Sequence, residues 1–282
     1  MKSRLITALF ALPVLILSIV LPVFLPQVPQ ANWLFVIIAA AAFIAGLFEF
    51  FTLTKKLELK ADASIAYLGA AAFFVAFLFD APTKAPDLLL LTVALFLIVV
   101  FTTQTFRFQK DFPKMLTGIG VTVLGVFYVV FLGGFLVSMR VGFENSPLLS
   151  SKLLGYFFLV AMGSDVGAYF IGKNFGKRKL VPKISPNKTW EGFIGGHLLA
   201  IGFAALSTVW FFPELPYKIS IPLALVMSLV GCAGDLAESA MKRSAGAKDA
   251  ANILPGHGGL LDRLDSLLFN APIFYYFARF YF

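Results

Sequence analysis

Long apolar blocks separated by short polar segments run along the chain, near residues 5 to 25, 33 to 53, 63 to 79, 86 to 104, 115 to 138, 153 to 172, 192 to 212, 219 to 238 and 264 to 282. About 20 mostly apolar residues are needed to cross a hydrocarbon layer about 30 Å thick, so this pattern predicts nine transmembrane helices. The third block, with Ala70 to Ala72, is short and alanine-rich, which leaves eight spans as the alternative. Lys2 and Arg4 precede the first block as in a secretory signal. Pro22, Pro26 and Pro29 follow it without a small-residue cleavage site, so it reads as a retained helix.

Composition narrows the class. Of 282 residues, 59% are hydrophobic and 13% charged, with a mean hydropathy of +0.88. Soluble domains carry about 25% charged residues, so a water-soluble fold is excluded. The single cysteine, Cys232, rules out an internal disulfide and a multi-cysteine metal cluster. The net charge of +8 suits nucleic acid, anionic lipid or a phosphorylated ligand, and placement must decide between them. With the N-terminus cytoplasmic and nine alternating spans, all of the 23 Lys and Arg except Lys84, Arg140, Lys152, Lys218 and Arg279 fall on the cytoplasmic side. That asymmetry follows the positive-inside rule. The expectation is an all-α polytopic integral membrane protein of about nine helices. Residues 1–150 form a lipid-facing scaffold, and residues 151–282, with cytoplasmic loops near 173 to 191 and 239 to 263, carry the chemistry.

Ionisable residues inside spans cost at least ~2.5 kcal/mol and point to function by default. Glu49 lies near the cytoplasmic end of the second span and reads as a helix-end carboxylate, whose change to Gln should be nearly silent. Asp165, between Gly163 and Gly167, suits either a helix-helix hydrogen bond or an interior cation or substrate site. Asp235 and Glu238 share one face at the end of the eighth span, with Ser239 beside them and Lys242 one turn on. An intrahelical Glu238 to Lys242 pair explains those two residues but leaves Asp235, flanked by Gly231 and Gly234, as a ligand for a hard cation.

In the loop that follows, Lys242, Arg243 and Lys248 supply cations, and Gly246, Gly256, Gly258 and Gly259 permit close backbone approach. Asp262 and Asp265 open the last helix; both suit its macrodipole, and Asp262 is the better ligand candidate. His257 is a phosphate donor, an acid for a leaving group, or a structural histidine. Two carboxylates from different helices beside cations fit a divalent metal on a polyphosphate. In the other loop, Ser185, Asn187 and Thr189 flank Lys188 and suit a phosphate or a base edge, with a turn at Pro186. Trp190 reads as an interfacial belt residue, and His197 as a helix contact.

These motifs resemble the phosphatidate cytidylyltransferase, or CDP-diacylglycerol synthase, family. Its signature is matched by Ser239, Met241, Lys242, Arg243, Lys248, Asp249, Pro255, His257, Gly258, Gly259, Leu260, Asp262, Arg263, Leu264 and Asp265. Ser185 to Gly192 resembles a second family element, and Gly234-Asp235 with Glu238-Ser239 a third. The resemblance implies a membrane nucleotidyltransferase that converts CTP and phosphatidic acid to CDP-diacylglycerol and pyrophosphate, with Mg²⁺, at the cytoplasmic face of the inner membrane. It implies Asp235 and Asp262 as metal ligands, with Asp165 or Asp265 completing a second cation site. Lys188, Lys242, Arg243, Lys248 and Arg263 would bind phosphates, Arg243 at headgroup depth for the lipid and Lys248 further out for CTP. Ser185, Asn187, Thr189, Ser239 and Asp249 join the substrate-binding set, and Lys242, Lys248 and His257 the catalytic one. The partners implied are the bilayer and the two substrates, not nucleic acid, and a homodimer is left open. The competing readings are another CTP-dependent lipid transferase, such as one acting on archaeal ether lipids, and a transporter.

Overall fold

The computed structural model describes residues 2–25, 28–79, 87–108, 111–143, 147–247 and 259–282. The helices are α1 (Lys2–Phe24), α2 (Trp33–Lys55), α3 (Ala63–Phe79), α4 (Asp87–Arg107), α5 (Phe112–Val126), α6 (Leu132–Val141), α7 (Pro147–Phe175), α8 (Trp190–Trp210), α9 (Tyr217–Ser244) and α10 (Leu261–Tyr281). A π-helical turn, Phe127–Phe131, joins α5 to α6, so the described residues form nine helical rods. Six of them are long and apolar enough to cross a membrane: those within Gln30–Lys55, Leu88–Arg107, Phe112–Val141, Leu148–Phe175, Trp190–Trp210 and Tyr217–Ser244. The fold is an all-α polytopic membrane protein. Large apolar side chains such as Phe106, Leu116 and Trp210 face outward, as a lipid-facing surface requires.

Lipid tails are as apolar as leucine, so packing contacts and polar links must hold such helices together. Phe73, Phe77, Phe131 and Phe135 interlock α3 with the α5–α6 rod, with ring centroids 5.0 to 6.0 Å apart. A polar link joins α1, α6 and α7. Pro22 has no N–H, so the Ser18 carbonyl four residues earlier lacks its helical donor. The buried Arg140 of α6 donates to that oxygen at 2.8 Å, to the Ile19 carbonyl at 3.2 Å and to Ser151 Oγ at 3.0 Å.

Two local features differ from the sequence expectation. The basic segment after α7 is a small antiparallel hairpin, β1 (Lys179–Val181) with β2 (Ser185–Thr189), pairing Lys179 with Thr189 and Val181 with Ser185. Its turn lies between Val181 and Ser185, where Ile184 N donates to the Val181 carbonyl, and not at Pro186. Pro186 sits within β2; a two-stranded sheet consists only of edge strands, which tolerate a residue without an N–H. The eighth span also continues past the apolar block to Ser244, so Lys242 and Arg243 are helical. The Glu238 to Lys242 pair supports the added turn. Gly246 ends it, with φ +59° in the left-handed region and its N–H on the Arg243 carbonyl.

Candidate active site

Small residues bring the polar helices together. A Cβ at Gly167 of α7 would lie 2.8 Å from the Gly195 carbonyl of α8, and one at Gly234 of α9 only 2.5 Å from the Asp265 carbonyl of α10. Backbones this close permit no larger side chain, and they draw α7 against α8 and α9 against α10. The C-terminal parts of α7 and α9 and the N-terminal parts of α8 and α10 therefore share one end of the molecule. The hairpin closes over that end. Thr189 caps α8 by accepting from Gly192 N at 3.1 Å, and the Glu191 carboxylate accepts from Lys177 N and Arg178 N at 3.0 and 3.2 Å.

A cavity of about 570 Å³ opens between these elements. Its wall includes Asp165, Asp235, Asp262 and Asp265 together with Lys188, Lys242 and Arg263. Two lysines cross-link the helices. Lys188 reaches from β2 to Asp235 at 2.6 Å, and Lys242 lies 2.5 Å from both Glu238 on its own helix and Asp262 on α10. Ser239 donates to Asp235 Oδ1 at 3.4 Å. Ser266 serves the two deeper acids: its hydroxyl donates to Asp165 at 3.3 Å and its N–H to Asp265 at 2.6 Å. Asp262 also reaches back to accept from Gly259 N at 2.9 Å, which caps the first turn of α10. Among the described residues, no group of three or more His, Cys, Asp or Glu side chains converges as a metal cage.

Most of the residues singled out from sequence therefore meet in one place. Asn187 and Thr189 also line the cavity, the Thr189 hydroxyl being committed to the α8 cap. Ser185, the first residue of β2, does not line it. Arg243 turns away, donating from Nε to the Ile184 carbonyl at 3.2 Å and from a terminal nitrogen to Ala247 at 3.3 Å, so it braces the hairpin turn. Lys248, Asp249 and His257 lie outside the described residues. Ser228, Cys232 and His197 are among the wall residues that the sequence did not single out for function. The first two precede Asp235 at positions i−7 and i−3, a helical spacing that marks one face in the sequence itself. His197, expected as a helix contact, packs its ring 4.2 Å from that of Phe193, while its two buried ring nitrogens have no hydrogen-bond partner among the described residues.

The model of the cytidylyltransferase family matches residues 2–281. The phosphatidate cytidylyltransferase of Bacillus subtilis (strain 168) is 33% identical over 281 residues, covering 98% of this chain and 97% of that protein. The phosphatidate cytidylyltransferase of Haemophilus influenzae (strain ATCC 51907 / DSM 11121 / KW20 / Rd) is 40% identical over 156 residues, 54% of each chain. That of Staphylococcus aureus (strain COL) is 50% identical over 120 residues, 42% of this chain and 45% of its own.

Proposed function

This chain belongs to the cytidylyltransferase family, and we propose that it is a phosphatidate cytidylyltransferase of the inner membrane, with its site on the cytoplasmic side. The observation that carries this reading is the position of the cavity. Four carboxylates and several cations line it at the end of the molecule where α7, α8 and α9, three of the membrane-spanning helices, meet the start of α10, so a water-soluble nucleotide and a lipid headgroup can meet there.

A phosphate oxygen of phosphatidic acid attacks the α-phosphorus of CTP, forming the new P–O bond as the bond to the β-phosphate oxygen breaks and pyrophosphate leaves. The attacking group is already an anion, so the protein needs no nucleophile of its own. Its task is to align two anions and offset the charge that develops. Lys188 and Lys242, held beside Asp235 and Asp262, offer charge-assisted hydrogen bonds to phosphate oxygens. Arg263 adds a further cation to the wall. His197 and Ser228 line the same cavity and suit the ester and glycerol oxygens of the lipid.

The donor set fits Mg²⁺, which takes oxygen ligands, usually one or two protein carboxylates with phosphate and water completing the shell. Asp235 and Asp262 would hold it, and Asp165 or Asp265 a second cation. Bound there, it would neutralise polyphosphate charge. Purified protein in detergent micelles, given CTP, phosphatidic acid and Mg²⁺, should form a CTP-derived lipid and pyrophosphate in equal amounts. Absence of that lipid, or its formation only with another lipid acceptor, would overturn the assignment.

A further inference from the structure

Glu49 belongs to α2, in the half of the chain expected to be scaffold, yet its side chain ends on the first turn of α10. One carboxylate oxygen accepts from Leu260 N and the other from Leu261 N, each at 2.7 Å. Glu49 is fully buried, and its neighbours Phe50 and Phe51 are buried as well, so packing holds the carboxylate in place. The first N–H groups of a helix have no partner within it, and the N-cap position of α10, Leu260, has no side chain able to serve them. Two carboxylates take that task. Asp262 accepts from Gly259 N, and Glu49, more than 200 residues away in sequence, accepts from the next two N–H groups.

We propose that Glu49 is a positioning residue for the active site: by clamping the first turn of α10 it sets the place of Asp262 and Asp265 in the cavity wall. The inference rests on the cytidylyltransferase reading. The chain of contacts is short, because Asp262 shares that turn and meets Lys242 at 2.5 Å on its other oxygen. A generic structural carboxylate need not lie at this spot. A buried charge is tolerated only when fully hydrogen-bonded, and here both oxygens are spent on the backbone segment that delivers the acids of the site. Displacements of about 1 Å at a reacting centre cost about 100-fold in rate.

The test compares Glu49→Gln, which keeps the size but offers one acceptor to two N–H donors, with Glu49→Asp, which keeps both acceptors on a shorter stem. Two readouts are taken on the purified full-length protein: steady-state kinetics with CTP and phosphatidic acid, and backbone hydrogen exchange. For Glu49→Gln, kcat should fall about 10- to 100-fold, with either KM changed less than about threefold. Exchange should quicken in peptides covering residues 259–263 and stay unchanged in α7 and α8. Glu49→Asp should retain more kcat than Glu49→Gln. A kcat within twofold of the unmodified protein would overturn the proposal, as would faster exchange spread evenly through α7, α8 and α9. If the unmodified protein makes no lipid product from CTP, the functional reading fails, and exchange at residues 259–263 still decides whether Glu49 holds that turn.

Discussion

At one end of α7 lies a cluster built around a single cation, and toward the other a cluster of acids and lysines; the two handle charge in different ways. Arg140 is 1% exposed, and its donors go to the Ser18 and Ile19 carbonyls and the Ser151 hydroxyl. The Ser18 oxygen is open because Pro22 interrupts the ladder of α1, and the Ser151 hydroxyl is at hand because α7 meets α1 there, itself donating to the Ile19 carbonyl at 2.7 Å. The bonds of Arg140 go to two backbone oxygens and a buried hydroxyl, and the cluster is a fastening. In the second cluster the Asp235 and Lys188 side chains keep 37% and 21% of their exposure, facing a cavity. Their partners are other side chains, and such pairs can exchange for a ligand. A buried charge alone therefore does not identify a site; the nature and accessibility of its partners do.

Loss of an acid from the open cluster should have the largest effect. Asp235→Asn and Asp262→Asn keep the shape of the side chain and should each lower kcat at least 100- to 1000-fold, about the loss seen when a preorganised electrostatic contact is removed. Thermal unfolding in detergent should change little, because each acid faces a cavity. Near-normal turnover of Asp262→Asn at ordinary Mg²⁺ would take it out of the site.

Arg140→Leu should do the opposite. It leaves the Ser18 carbonyl without a donor, at about 1 to 3 kcal/mol for an unsatisfied buried group, while the Ile19 carbonyl keeps the Ser151 hydroxyl at 2.7 Å. The unfolding midpoint should drop by several degrees, while kcat measured well below that midpoint stays within about twofold. A large kcat loss without a stability loss would place Arg140 with the site and dissolve the contrast.

How much of this could be read in the sequence depends on how local the signal is. The helical rods follow from apolar block length, Asp165 and Asp235 stand out because charge inside an apolar block is costly, and Asp262 and Asp265 stand out as acids three apart at the start of the last helix. The extra turn of α9 was hidden because its residues are polar, although the i, i+4 spacing of Glu238 and Lys242 was visible. The hairpin was missed because three- and five-residue strands leave too short a pattern. Glu49 could not be understood locally at all: its meaning lies in two backbone N–H groups on α10, and no periodicity reports a contact over that separation. The expectation that Glu49→Gln would be nearly silent came from the residue's own neighbourhood, which holds none of its partners.

A smaller effect tests the inner wall. His197 lines the cavity with ring nitrogens that lack a partner among the described residues. If it meets the polar part of the lipid, His197→Phe should raise the KM for phosphatidic acid about twofold to tenfold, the range of one neutral hydrogen bond, and leave that for CTP unchanged. No change in either KM would return His197 to the role of a helix contact.

The smallest predicted effect separates the two clusters' styles within one residue. Sequence position placed Arg243 at headgroup depth as a lipid phosphate ligand, whereas its guanidinium donates to the Ile184 and Ala247 carbonyls and braces the hairpin that carries Lys188. As a brace, Arg243 resembles Arg140 in its choice of backbone oxygens, but it is exposed, so its loss costs little stability. Arg243→Ala should loosen the hairpin and raise both KM values together by about threefold, in line with neutral-acceptor hydrogen bonds worth about 0.5 to 1.5 kcal/mol each. A direct phosphate contact would instead raise the KM for phosphatidic acid alone, and by about tenfold or more, because a charge-assisted bond contributes about 1.5 to 3 kcal/mol. Steady-state kinetics varying each substrate in turn distinguishes the two, and the selective result would show that Arg243 leaves the hairpin when the lipid binds.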